Sequence, residues 1–180
     1  NFLAASLCAA TGHRPVNSLG DIHLYDVIAD YGLVVLSDKQ SDALRTTRIA
    51  ATGKLWLVGL QNYLQFLQEI AKTESKTSLG KGAKEVLLGE IPLFSVSDEN
   101  GVMQDFNAAI LKQTMPIALK ETPNFYRHRL CQFLQAKGID PELRHAQLGW
   151  MVTSAYATAD ISPMAAKDLA DRIGTSIDEF

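Results

Sequence analysis

Arg127 and His128 stand side by side, and the pair Gly149-Trp150 follows a little over twenty residues later. Arg14 lies far upstream and Tyr156 just beyond. Residues of these types suit one reaction, the breaking of a phosphodiester by a tyrosine. Two guanidiniums can clamp the non-bridging oxygens of a single phosphate, each offering paired N–H donors in a planar fork. A lysine and an indole or imidazole serve the leaving oxygen and the clamp, while the phenol attacks phosphorus. The rest of the chain reads as the scaffold for this group.

The scaffold has the composition of an ordinary globular domain. Its 180 residues, 47% hydrophobic and 21% charged, are enough for one well-buried core. No apolar run reaches the roughly eighteen residues that cross a bilayer. The start, Asn1-Phe-Leu-Ala-Ala-Ser-Leu-Cys-Ala-Ala10, lacks Met and a basic leader and opens inside an apolar stretch. We therefore expect a fragment whose N-terminal portion precedes residue 1. Cys8 and Cys131 both sit in apolar-periodic segments, which predicts two buried thiols in a reducing compartment rather than a disulfide. Four scattered histidines, with no Cys or His pair at ligand spacing, argue against a structural metal.

Net charge is −3, so a strongly basic nucleic-acid binder is excluded. The imbalance is local. Asp160, Asp168, Asp171, Asp178 and Glu179 against Lys167 and Arg172 account for all of it, and the preceding residues are neutral. Among them Lys120, Arg127, Arg129, Lys137 and Arg144 outnumber Glu121, Asp140 and Glu142, which leaves room for a local basic face.

The elements that must position the site follow from local signals. Residues 2–10 predict a helix stopped at Thr11-Gly12. The β-rich runs Ile22–Ile28 and Leu33–Leu36, joined by Ala29-Asp-Tyr-Gly32, predict a hairpin, and a third short strand covers Thr46–Ala50. Leu57, Leu60, Leu64, Leu67 and Ile70 fall at helical spacing and predict a long amphipathic helix over 55–71. Residues 72–85, rich in Lys, Ser, Thr and Gly, read as an exposed loop, and 102–113 as a helix. Thr122-Pro123, Asp140-Pro141 and Ser162-Pro163 each place a capping side chain before a proline and predict three helix starts. The expected fold class is mainly α with a small antiparallel β-sheet inserted after the first helix (α+β).

With these elements in order, residues 2 to 160 resemble the catalytic domain of the tyrosine recombinases, the phage-integrase family. That family's first box is a helix ending in Thr-Gly-x-Arg; here Ala10-Thr-Gly-His-Arg14-Pro places the first catalytic arginine at Arg14. A lysine follows in the turn between the second and third strands, and Lys39 in Leu36-Ser-Asp-Lys39-Gln occupies that place. The second box, His-x-x-Arg-His, reads Asn124-Phe-Tyr-Arg127-His128. An apolar helix, a Gly turn and Leu-Gly-His/Trp come next, matched by Phe133-Leu134, Gly138-Ile-Asp140 and Leu148-Gly-Trp150. Tyr156 is the last tyrosine and stands six residues beyond Trp150, where most members have about nine. A three-residue shortening is nearly one helical turn of about 3.6 residues, so the phenol keeps its face.

The resemblance implies a fold like the recombinase catalytic domain over 1–160, with 161–180 a C-terminal helix or tail that in the family often docks on a neighbouring protomer. An acidic, solvated tail is the competing expectation for that segment. It implies site-specific DNA recombination through a 3′-phosphotyrosyl intermediate, with Tyr156 as nucleophile, Arg14 and Arg127 on the phosphate, Lys39 as general acid, His128 in support and Trp150 donating one hydrogen bond. Asn124 can still donate to a phosphate oxygen but holds no proton at neutral pH. No cofactor and no metal is implied. The partners implied are double-stranded DNA and further copies of the chain in a tetrameric synapse, with no membrane, in the nucleoid-associated cytoplasm of a prokaryote. Asn124, Asn17 in place of an acidic residue, and the short Tyr156 spacing motivate an alternative: a degenerate, recombinase-like domain that binds DNA or a partner without cutting. A plain helical interaction domain with accidental matches is the third reading.

Overall fold

The computed structural model describes residues 2–13, 19–37, 47–106, 110, 125–150 and 163–180. Within them the chain is mainly helical with small antiparallel sheets. Helix α1 (Phe2–Thr11) ends as expected at Gly12, whose φ of 63° is left-handed. Three strands form the main sheet in the order β1-β2-β3: β1 is Val27–Ile28, β2 Leu33–Ser37 and β3 Thr47–Ala51. Ile28 pairs with Leu33 across the turn, and β2 runs antiparallel to β3 from Leu33↔Ala51 to Ser37↔Thr47.

β2 has no polar face because the sheet is covered on both sides. Val34, Leu36 and Ala50 join one apolar cluster with Leu7, Cys8, Trp56, Leu60 and Val86. Leu33, Ile49 and Ala51 join a second cluster with Leu130, Leu134, Leu148, Leu169 and Ile173. The side-chain period of two thus sends alternate residues of one strand into two different cores. Helix α1 serves both, through Leu7 and Cys8 on one side and Ala10 on the other.

Helix α2 (Gly53–Thr73) buries Trp56, Leu60 and Leu67. The Trp56 indole donates to the Leu3 carbonyl at 3.0 Å, which ties α2 to α1. Three expectations are corrected in this half. Ile22–Asp26 is not strand: the His23 amide bonds the Asp26 carboxylate at 2.8 Å, and this local bond tightens Leu24–Asp26 into a 3₁₀ turn. The stretch read as an exposed loop contains a helix, α3 (Ser78–Leu88), capped by the Thr77 hydroxyl, which accepts from the Gly80 amide at 3.1 Å. Its glycines serve close approach. A Cβ on Gly82 would lie 2.3 Å from Met103 Cγ, and one on Gly80 2.0 Å from the Glu74 carbonyl oxygen. Finally, the start of the helix expected over 102–113 is a strand: β4 (Ser95–Ser97) pairs with β5 (Met103–Asp105). The Asp98 carboxylate sets that turn, accepting from the amides of Asn100 and Val102, each at 2.9 Å. Apart from Ile110, residues 107–124 lie outside the described residues.

The C-terminal third supplies the second core. Helix α4 (Phe125–Ala136) buries Arg127, Leu130 and Leu134. Helix α5 (Pro141–Leu148) starts as expected, with the Asp140 carboxylate accepting from Glu142 N at 2.8 Å, and stops at Gly149, φ 64°. Helix α6 (Pro163–Leu169) runs through a π-helical turn, Ala170–Gly174, into α7 (Thr175–Ile177). Leu169, Ile173 and Ile177 are buried at four-residue spacing, so this acidic segment is not a solvated tail.

Candidate phosphate-binding site

Of the residues whose types suit phosphate chemistry, Arg127, His128 and Trp150 lie among those described; Arg14, Lys39, Asn124 and Tyr156 lie outside them. Arg127 enters from the first turn of α4 and is 7% exposed. Its guanidinium carbon is 5.8 Å from the centroid of the Trp150 ring, within cation–π range. A buried cation is costly unless it is paired, and the indole supplies one favourable face. His128, about 100° further round the helix, is exposed.

Trp150 is positioned by the end of α5. The left-handed Gly149 turns the chain so that the Trp150 amide bonds the His145 carbonyl at 3.0 Å. The His145 ring then lies 5.2 Å from the indole, tilted by 53°. The indole is held half-buried between His145 and Arg127.

The third element at this place is the end of α1. A Cβ on Gly12 would stand 3.5 Å from Arg127 Cα and Cγ and 2.6 Å from Leu148 Cδ2. Only a glycine at position 12 lets the exit of α1 press this closely onto α4 and α5. Its positive φ reinforces that requirement. The next residue, His13, is buried, with its amide on the Thr11 hydroxyl at 3.2 Å. Segments separated by more than a hundred positions therefore converge on Arg127.

Two buried polar residues beneath this junction escape the motif reading. Gln147, 0% exposed, accepts the Ala51 amide through Oε1 at 2.8 Å. Through Nε2 it donates to the carbonyls of Ala51 at 2.8 Å and Ala10 at 2.9 Å. Arg48, 3% exposed, donates to the Gln147 carbonyl and, at 3.3 Å, to the Thr11 carbonyl. The one available signal is Arg48 itself, a cation in the otherwise apolar Ile49-Ala-Ala run of β3.

Among the described residues no group of three or more His, Cys, Asp or Glu could hold a metal ion. A cleft of about 560 Å³ lies between the Ala29–Gly32 turn, the start of α2 and the segment 167–178. Its mixed-charge lining includes none of the expected site residues. No helix among the described residues is long and apolar enough to cross a membrane. Comparison with protein-family models, with curated proteins and with solved structures finds no match in any of the three.

Proposed function

We propose that this chain is a recombinase-like catalytic domain that exchanges DNA strands by tyrosine attack on a phosphodiester. The observation that carries the reading is the contact of buried Arg127 with Trp150 where Gly12, two residues before Arg14, abuts Arg127. Boxes that resemble one family's phosphate site in sequence would gain nothing from meeting in an unrelated fold. In this reading Arg14 and Arg127 bind the non-bridging oxygens and offset the charge of the pentavalent transition state. Trp150 contributes its indole N–H, and Lys39 protonates the leaving 5′-oxygen with His128 in support.

Tyr156 forms the new phosphorus–oxygen bond and the 5′-oxygen departs with a proton, leaving a 3′-phosphotyrosyl link. Attack by a second 5′-hydroxyl reverses the step, so one phosphodiester replaces another and no nucleotide is consumed. The rest of the duplex would be held by contacts to phosphates other than the scissile one. Affinity should fall steeply with salt because phosphate neutralisation releases counterions.

The test is a nicked suicide duplex carrying the end of the adjoining genetic element, incubated with the full-length protein. A covalent protein–DNA adduct, lost in Tyr156→Phe with duplex binding intact, is the expected result. Binding without an adduct in the wild type would favour the cleavage-deficient alternative that Asn124 and the short Tyr156 spacing suggest. Neither binding nor adduct would sink both.

A further inference from the structure

We infer that Gln147, together with Arg48, is a positioning residue that sets the exits of α1 and α5 against each other and so holds the Arg127–Trp150 contact. Each exit is a helix C-terminus closed by a left-handed glycine, Gly12 after α1 and Gly149 after α5. Each glycine is followed within two residues by a residue of the proposed site, Arg14 in one case and Trp150 in the other. What fixes the two exits relative to one another is one buried polar cluster.

The Gln147 amide reproduces the pairing that a neighbouring strand would offer Ala51, accepting its N–H and donating to its carbonyl. Its second N–H reaches across to the Ala10 carbonyl in the last turn of α1. The amide orientation is forced, because the flipped form would set an oxygen against two carbonyl oxygens. Arg48 closes the cluster from β3. Its guanidinium bridges the Thr11 and Gln147 carbonyls, the C-terminal ends of both helices, where the aligned peptide dipoles favour a cation. All of these groups are buried, so each bond lost leaves an unsatisfied partner and the cluster resists sliding.

The geometric half of this inference stands alone; its catalytic half rests on the strand-exchange reading. The chain has two tryptophans, so two indole N–H signals report the two halves of the molecule. Trp56, bonded to Leu3, is the internal control, and its signal is identified by Trp56→Phe. In Gln147→Leu the Trp150 signal should move or broaden while that of Trp56 stays. Gln147→Glu serves should the leucine variant not fold. A neutral carboxyl there can accept from Ala51 N and donate to one carbonyl only, and ionising it sets a carboxylate against the Ala51 and Ala10 carbonyls. Its Trp150 signal should therefore titrate with pH, and the wild-type signal should not follow the same curve.

On the suicide duplex, folded variant protein should form adduct roughly tenfold to a hundredfold more slowly, as expected for small displacements of reacting groups. Duplex affinity should stay within about twofold, because it is spread over many phosphates and the scissile one is a single contact among them. A folded Gln147→Leu whose Trp150 signal matches wild type, or a Gln147→Glu whose signal ignores pH, overturns the inference. If the wild type forms no adduct, the strand-exchange reading fails by itself and the indole signals still decide this one.

Discussion

The guanidinium carbon of Arg127 lies over the Trp150 ring, 5.8 Å from its centroid, although twenty-two residues separate the two in sequence. This contact makes the two side chains interdependent. Arg127→Ala should slow adduct formation on the suicide duplex by on the order of 10²–10³-fold. Arg127→Lys keeps the charge but loses the fork and should recover only part of that rate. Trp150→Phe keeps the ring against Arg127 and loses one donor, so it should be the mildest of the three. Single-turnover kinetics on variants checked for native circular dichroism will give the order; a lysine variant equal to wild type would refute the two-pronged grip.

Gly80 and Gly82 are predicted to be packing residues. Alanine at 82 must displace the flexible Met103 side chain, at a cost of about 1–3 kcal/mol. Alanine at 80 meets the Glu74 carbonyl of the backbone and should cost more. Better helix propensity returns at most about 1 kcal/mol at either site. Urea unfolding should show both variants destabilised, Gly80→Ala the more so. A rise in midpoint for both would mean that α3 does not pack this way.

The C-terminal segment belongs to the fold. Ile173→Ala should cost about 2–5 kcal/mol, whereas Met164→Ala, at a site 84% exposed, should stay within about 0.5 kcal/mol. Asp178→Ala should cost about 0.5–2 kcal/mol, because its carboxylate accepts the Leu55 amide at 3.0 Å at the start of α2. Denaturant melts of the three variants will separate these values.

Burial pushes the Cys8 thiol from an ordinary 9.0 up to about 12. The folded chain therefore keeps its proton where the unfolded chain releases it. This contribution to stability is flat below about pH 9 and is lost as pH rises towards 12. At pH 10 the wild type should have lost about 1.4 kcal/mol more than Cys8→Ala has lost relative to neutral pH. Native protein at neutral pH should be alkylated at the half-buried Cys131 well before Cys8.

Local signals were enough to read the ends of α1 and α5, the span of α2 and the β2–β3 pair. Thr11-Gly12 and Asp140-Pro141 act through their own backbone geometry, and the Leu60 and Leu67 pattern through one helix face. The left-handed turns at Gly138 and Gly149 are local features too, and Arg127 and Trp150 meet across the segment that contains them. The misreadings have different causes: at 22–26 the local His23–Asp26 bond overrides the strand pattern, while the loop and helix readings miss contacts made outside the segment itself. Gly80 and Gly82 look flexible until Glu74 and Met103 are set beside them. β5 is too short to show its period, and the Asn100-Gly101 turn is its only local mark. Nothing near Gln147 in sequence announces that its amide will meet Ala51 and Ala10.

A small sheet ends in a strand whose outer backbone groups are free to recruit a stranger, and such rims seed aggregates. Among the described residues β3 is that last strand, and at Ala51 both its outward N–H and its carbonyl are already taken by the amide of residue 147. One side chain from a distant helix thus plugs the rim at that point, and an invading strand would have to evict it first.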